Sequence, residues 1–557
     1  MDMVYIIQRI NQHPWTSLGV ALIMLFGFQI LNIIYGFDLY DTGFHLVAYQ
    51  NIFDTPDCVS YNFVYYLTDI VGGGLLKLFP QMGVVGFRVV GALFILATII
   101  FIFVTLKNEI PIIHLLLGSI LVVVGYVRLP YAFKDGILSC CLYSVAIVIL
   151  YKGLLRRSNV LIILGGIVVG INMFTRIPNI LAVGLVVIVL SYNKFIFREH
   201  GSLNWKGAIL FIVGAIIGVL VILLLMLLLG HIEIFKRGIA AIFSLAGGNS
   251  SHSLLWMMKI HFASYMTTII PILVFYALIH IEGVVNKKCN LLHKYIFCIM
   301  RVLIVFLYVY ETFYVYNIIF GLFALGCILC IMKRRDGIGL FAALALYMLI
   351  VEIYGSDWSV NHGSLPALLA APVASMQLLN RKRIVYVVTF ILAVCWQIIR
   401  KGNFQDVGPI YKKTEYIECS DARFILTTAK KANAINCTLD GIRPFVANGD
   451  TLMCFPAAPM MNYLTHTHPV GGMCWPGEQG FFVMPIEGCP KILFNKTSFS
   501  GENWYVINEL DDTYGFDIKS FITKHRYRRA YENDYFILFI PPIPSQYETS
   551  NYLYTDF

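Results

Sequence analysis

Gly207–Gly230 reads GAILFIVGAIIGVLVILLLMLLLG, 24 residues without one polar side chain. At the α-helical rise this run is about 36 Å long, enough to cross a hydrocarbon layer of about 30 Å. A helix that is apolar on every side has no face to turn to water, so its solvent is lipid. Working outward, apolar runs recur at 17–35, 83–106, 111–126, 135–151, 159–172 and 177–191. They continue at 262–281, 295–310, 315–332, 338–354, 365–380 and 384–399. The expected fold is a polytopic α-helical membrane protein of about thirteen transmembrane helices, each apolar run serving as one span. Composition agrees: of 557 residues, 58% are hydrophobic and 13% charged, against about 25% charged in soluble domains.

The net charge of +9 does not point to nucleic acid. Its Lys and Arg residues gather in alternate loops. Arg9, Lys107, Lys152/Arg156/Arg157, Lys194/Arg198/Lys206, Lys287/Lys288/Lys294, Lys333/Arg334/Arg335 and Arg381/Lys382/Arg383 fall on one side and outnumber the cations opposite. That side belongs in the cytoplasm. The first span reads as a retained signal anchor with the N-terminus inside, and everything after residue 399 lies outside. Parity assigns two ambiguous stretches. Residues 61–80, with Asp69, Lys77 and three consecutive glycines, are expected to lie along the interface. Residues 159–191 form a hairpin with Thr175-Arg176-Ile177-Pro178 at its outer tip.

Two regions follow: a membrane part, 1–399, and an extracytoplasmic mixed α/β domain, 400–557, where polar residues and prolines return. Within the latter, Phe536–Ile540 reads as a buried strand. Its five cysteines leave room for one or two disulfides, whereas Cys327 and Cys330 read as packing residues inside a helix.

The chemistry is sought where ionisable groups meet the outer boundary, because such groups are costly near lipid. Asp38 and Asp41 follow the first span, and either carboxylate can serve as a general base or as a loop acid. Asp54, Asp57 and Asp69 read as solvated. Arg128, Lys134 and Arg176 tip outer loops at the depth of a lipid phosphate, which Arg holds bidentately and Lys as a point charge. Lys236 and Arg237 read equally well as snorkelling residues. His45, Asp357 and His362 are candidate substrate-binding groups, the last two in an outer loop with Trp358. Glu311 and Glu352 are placed to pair with a neighbouring cation. Metal binding by His45, His252 and His362 requires that the fold gather them.

Three stretches carry a resemblance: Asp38-Leu39-Tyr40-Asp41-Thr42-Gly43-Phe44-His45, Tyr354-Gly355-Ser356-Asp357, and Ala447-Asn448-Gly449-Asp450 with Phe455-Pro456 and Pro459-Met460-Met461-Asn462-Tyr463-Leu464-Thr465. The chain resembles the GT-C superfamily of membrane glycosyltransferases, in particular bacterial relatives of the dolichyl-phosphate-mannose protein mannosyltransferases and the lipid A aminoarabinose transferases. In the family the last segment ends in Gly-Arg, replaced here by His466-Thr467. The resemblance implies a polyprenyl-phosphate-linked sugar as donor, a lipid, glycan or protein acceptor, inversion at the anomeric carbon, and an inner-membrane enzyme. It also implies a first-loop aspartate as base, carried to Asp41 first and Asp38 second. Some branches use a divalent metal; no compact ligand cluster here demands one. A polysaccharide polymerase or ligase, or a transporter of lipid-linked saccharide, is the alternative. A transporter predicts charges inside broken helices and repeated halves; a polymerase, a large mid-chain loop.

Overall fold

The computed structural model describes residues 3–126, 132–193, 202–247, 253–288, 290–312, 315–356, 359–362, 365–380, 383–403, 406–476, 482–496 and 516–542. Among the described residues eight helices are long and apolar enough to cross a membrane, and five shorter apolar helices accompany them. Each expected span has one of these helices. The quoted run lies in Trp205–Leu228, and its glycines have a packing reason. A Cβ at Gly214 or Gly218 would stand 2.2 Å from the carbonyl oxygen of Ile163 or Ile167 on the helix Asn159–Asn172. Gly166 and Gly170 meet Phe211 and Ala215 in the same way. Small residues spaced by four let the two backbones touch, the usual basis of helix association in lipid.

The hairpin forms as expected. Asn159–Asn172 turns over at residues 173–176 and returns through Ile177–Gly184 and Leu185–Leu190. Its tip is tied by Asn179 Nδ2, which donates to Ser139 Oγ at 2.6 Å, Thr175 Oγ1 at 2.8 Å and the Asn172 carbonyl at 3.0 Å. Residues 61–80 are no independent span. A 3-10 segment, Pro56–Tyr65, runs into the helix Tyr66–Leu78. That helix packs on Asp41–Asn51, the helix that opens the first loop. Two of its three glycines make the approach: a Cβ at Gly72 would lie 2.5 Å from the Tyr49 ring, and one at Gly73 2.6 Å from Ile52 Cγ2. Here one expectation fails. Asp69 has no exposed surface at all, because this helix turns it inward beneath the first-loop helix instead of toward water.

A helix absent from the sequence reading, Ile232–Gly247, follows the quoted run. Arg237 pairs with Asp57, and Lys236 with Glu233 at 2.6 Å, both at exposed positions. Glu311 pairs with Lys401 at 3.6 Å. Cys327 and Cys330 are buried packing residues.

After the helix Ile384–Lys401, Gly402 reverses the chain at φ 73°. The C-terminal region is built on a four-stranded mixed sheet. Leu452–Phe455 runs parallel to Lys491–Asn495, which pairs antiparallel with Phe536–Ile540, and Arg528–Glu532 closes the edge. Phe536–Ile540 is buried along its whole length, as its unbroken apolar sequence demands. The helices Ala429–Ile442, Pro459–Thr465 and Ile518–Lys524 accompany the sheet. The tail cysteines 419, 437, 454, 474 and 489 are free thiols.

Candidate active site

The first loop begins where the helix Pro14–Ile34 ends. Arg88, buried in the helix Gly83–Leu106, donates to the carbonyl oxygens of Asn32, Ile33, Tyr35 and Gly36 at 2.7–3.4 Å. A cation is thus spent on the orphan carbonyls of a helix C-terminus. Gly36 takes φ 93°, open to glycine at little strain, and the chain turns into the site. Asp38 is buried and fully engaged. One oxygen accepts the Tyr40 amide at 2.8 Å; the other accepts the Thr42 amide and hydroxyl, both at 2.8 Å. It shapes the turn that starts the helix Asp41–Asn51.

Asp41 differs. Among the described residues its carboxylate takes part in no hydrogen bond and no ion pair. Burial and the neighbouring Asp38 carboxylate push its pKa up to about 6, against the pull of Lys134 and His45. Lys134 is buried near enough to act on that charge, in an extended residue just before the helix Asp135–Leu155. Its position is set by backbone contacts: the Phe133 amide donates to the Phe87 carbonyl at 2.8 Å, and Tyr49 Oη donates to the Phe133 carbonyl at 2.8 Å. Burial lowers the Lys134 pKa, but Tyr126, Asp41, Asp135 and Asp38 together raise it above the usual lysine value. Its ammonium is held charged without a hydrogen-bonding partner among the described residues.

One turn along from Asp41, His45 stands between two acids: Nδ1 is 3.9 Å from Asp69 and Nε2 3.5 Å from Asp135. Burial disfavours its charge, yet these two carboxylates outweigh it and raise its pKa to about 9. Asp69 is pushed up to about 7 by burial, with His45 pulling the other way. The chain of charges continues through Asp135 to Arg176, 3.9 Å away, and on to Glu352, 3.8 Å from Arg176. Arg176 also donates to the Glu352 carbonyl at 2.7 Å and the Tyr354 carbonyl at 2.8 Å. It thereby clasps the hairpin tip to the loop that follows the helix Gly337–Val351. Gly355 completes the clasp at φ 85°, where a Cβ would meet Pro178 Cγ at 2.1 Å.

The fold brings Asp41, Lys134, His45 and Arg176 to one end of the bundle. Asp38 and Arg176 are engaged in holding backbone, while among the described residues the side chains of Asp41 and Lys134 hold none. Arg128 and Asp357 fall outside the described residues, as does the side chain of His362, whose backbone closes the short turn Ser359–His362. Among the described residues no group of three His, Cys, Asp or Glu could hold a metal ion. Asp135 was missed by the sequence reading. Its signal was an acid directly after Lys134 at the head of an apolar span. Arg88 was missed too, although a lone cation six residues into an apolar helix asks for a partner.

The tail packs over the same loop. The Met460 amide donates to the Leu39 carbonyl at 3.1 Å, and Gln50 Nε2 to the Tyr463 carbonyl at 3.1 Å. The segment Pro459–Thr465 therefore seats on the helix that carries Asp41. His466, which follows the helix Pro459–Thr465, is left-handed at φ 52° and ψ 41°. That conformation ends helices and favours glycine. Its ring instead bridges Asp421 and Gln50, both at 3.1 Å.

No protein-family model matches the sequence, and no curated protein matches it. Among solved structures, the fold is similar to the Archaeoglobus fulgidus oligosaccharyltransferase complexed with zinc and sulfate, at 11% identity over 86% of this chain and 67% of that one, with a TM-score of 0.44. It is also similar to ArnT from Cupriavidus metallidurans bound to undecaprenyl phosphate, at 11% identity over 95% of this chain and 98% of that one, with a TM-score of 0.43.

Proposed function

We propose that the chain is a GT-C-type glycosyltransferase that moves a sugar from a polyprenyl-phosphate donor to a lipid, glycan or protein acceptor, with Asp41 as general base. One observation carries the reading: among the described residues the Asp41 carboxylate takes part in no hydrogen bond and no ion pair, and neither does the Lys134 ammonium, which is near enough to act on its charge. The three stretches of the sequence resemblance also adjoin one another: Met460 bonds Leu39, and His45 reaches Tyr354 by way of Asp135 and the Arg176 clasp.

In this reading the acceptor hydroxyl bonds to the anomeric carbon as its proton passes to Asp41. The bond between that carbon and the phosphate oxygen breaks, and its electron pair leaves with the polyprenyl phosphate. Attack opposite the leaving group inverts the anomeric carbon. Lys134 offsets the charge that grows on the phosphate; a point cation suits a monoester whose orientation the lipid tail already limits. Cationic His45, held between Asp69 and Asp135, adds to the positive field. Asp38 keeps its geometric role, since both its oxygens are taken. Arg176 acts through the clasp on the loop at Tyr354–Ser356.

The test uses the purified full-length protein in nanodiscs with a panel of labelled polyprenyl-phosphate sugars. Asp41→Asn is expected to abolish sugar transfer and donor hydrolysis while still binding donor, and Lys134→Met to weaken donor binding. Wild-type turnover in Asp41→Asn would dismiss the base.

A further inference from the structure

The first loop is held from outside the membrane bundle by three buried charges of the tail. Asp406 Oδ2 accepts the Phe37 amide at 3.0 Å and the Thr427 hydroxyl at 2.9 Å. Lys431 Nζ donates to the Phe37 carbonyl at 2.7 Å and lies 3.5 Å from Asp406 Oδ1. Lys413 Nζ, fully buried, is 3.3 Å from Asp406 Oδ2 and also bonds the Asp406 carbonyl. Both backbone groups of Phe37 are thus taken by tail side chains. The Gly36 amide donates to the Leu426 carbonyl at 2.9 Å, and the Gly36 carbonyl accepts from Arg88. Residues 36 and 37 have no backbone freedom left, and Asp38 takes over at 40 and 42.

A surface brace could be solvated and cheap, but this one is not. Burial opposes ionisation of Asp406, and Lys431 and Lys413 overcome it and hold the carboxyl below its usual range. Removing one member of a buried ionic group leaves the others uncompensated, which is why the loss is felt at the partner. The partner here is the backbone that leads to Asp41.

We propose that Asp406, Lys413 and Lys431 are positioning residues: the tail sets the path of residues 36–42 and so the place of Asp41, making the C-terminal domain an integral part of the catalytic geometry. The proposal rests on the glycosyltransferase reading for its catalytic half, and its structural half is measured separately.

The experiment compares full-length wild type, Asp406→Asn, Lys431→Met, Lys431→Arg and, as control, Glu532→Gln on the edge strand Arg528–Glu532, whose partners are Lys496 and Arg529. Hydrogen exchange of the peptide covering 36–42 and steady-state sugar transfer are both measured. Asp406→Asn and Lys431→Met are expected to lose protection in 36–42 and to lower kcat about 100-fold, the scale of a displacement near 1 Å at a reacting group. KM for donor stays within about 3-fold, because Lys134 is set through Phe133 by the Phe87 carbonyl and by Tyr49, two turns beyond Asp41. The low-pH midpoint of the rate falls as Asp41 gains solvent. Lys431→Arg restores protection and most of kcat; Glu532→Gln changes neither. Wild-type protection in Asp406→Asn overturns the proposal, as does lost protection with unchanged kcat and midpoint. If Asp406→Asn does not fold, the Met and Arg variants of Lys431 decide. If no sugar is transferred by wild type, the glycosyltransferase reading fails, while the exchange data still accept or reject the brace.

Discussion

Gly43 offers a test that depends on backbone contact alone. It lies in the first turns of the helix that carries Asp41, and an alanine Cβ there would stand 2.1 Å from the Met460 nitrogen, 2.5 Å from its Cα and 2.8 Å from the Pro459 carbonyl carbon. All three are backbone atoms, so no side chain can swing aside. Moving from 2.1 Å to the 3.4 Å of ordinary contact parts the helix from the tail by about 1.3 Å. Two effects compete. Alanine favours the helix over glycine by up to about 1 kcal/mol, whereas overpacking costs about 1–3 kcal/mol. Overpacking wins here, because the separation also stretches the 3.1 Å bond from the Met460 amide to the Leu39 carbonyl. Gly43→Ala should therefore destabilise the protein by about 1–2 kcal/mol and lower kcat by up to about 100-fold through displacement of Asp41. Thermal unfolding in detergent and sugar transfer in nanodiscs measure the two effects. Gly74→Ala is the control, a glycine of the helix Tyr66–Leu78 with nothing within 4 Å of the added Cβ. If Gly43→Ala matches Gly74→Ala in both assays, the seating of Pro459–Thr465 on the first-loop helix is wrong.

With Asp41 titrating at about 6, the base is lost as pH falls through that value, so kcat/KM should drop about tenfold per pH unit below it; a profile flat from pH 7 to 5 would contradict the assignment. Asp38→Asn puts an amide where two oxygens accept three donors, and should lower the unfolding midpoint by the equivalent of about 1–3 kcal/mol while moving the acid limb below 6, because the Asp38 carboxylate is one of the groups that raise the Asp41 pKa; loss of that limb would make Asp38 the base. Arg176→Lys cannot span the Glu352 and Tyr354 carbonyls together, so hydrogen exchange in 353–356 should rise with donor KM changed more than the pH profile, and unchanged exchange would remove the clasp.

Hydropathy is carried by consecutive residues, so the thirteen apolar helices, the break at Pro178 and the strand Phe536–Ile540 were all legible from the chain. So was the neighbourhood of the chemistry, because charges beside lipid stand out against an apolar background. Their division of labour was not. Asp38 and Asp41 look equivalent in a line of letters, yet one is bonded by Tyr40 and Thr42 and the other has no hydrogen bond to its carboxylate among the described residues. Asp69 read as solvated on a stretch expected along the interface and proved buried, because the glycines at 72 and 73 let its helix sink against Tyr49 and Ile52. The brace on Phe37 comes from Asp406, 369 residues away. Periodicity and composition are summed locally and survive without a fold. Whether a carboxylate is solvated, paired or free depends on which distant groups arrive beside it, and the packing of helix on helix and tail on loop decides that.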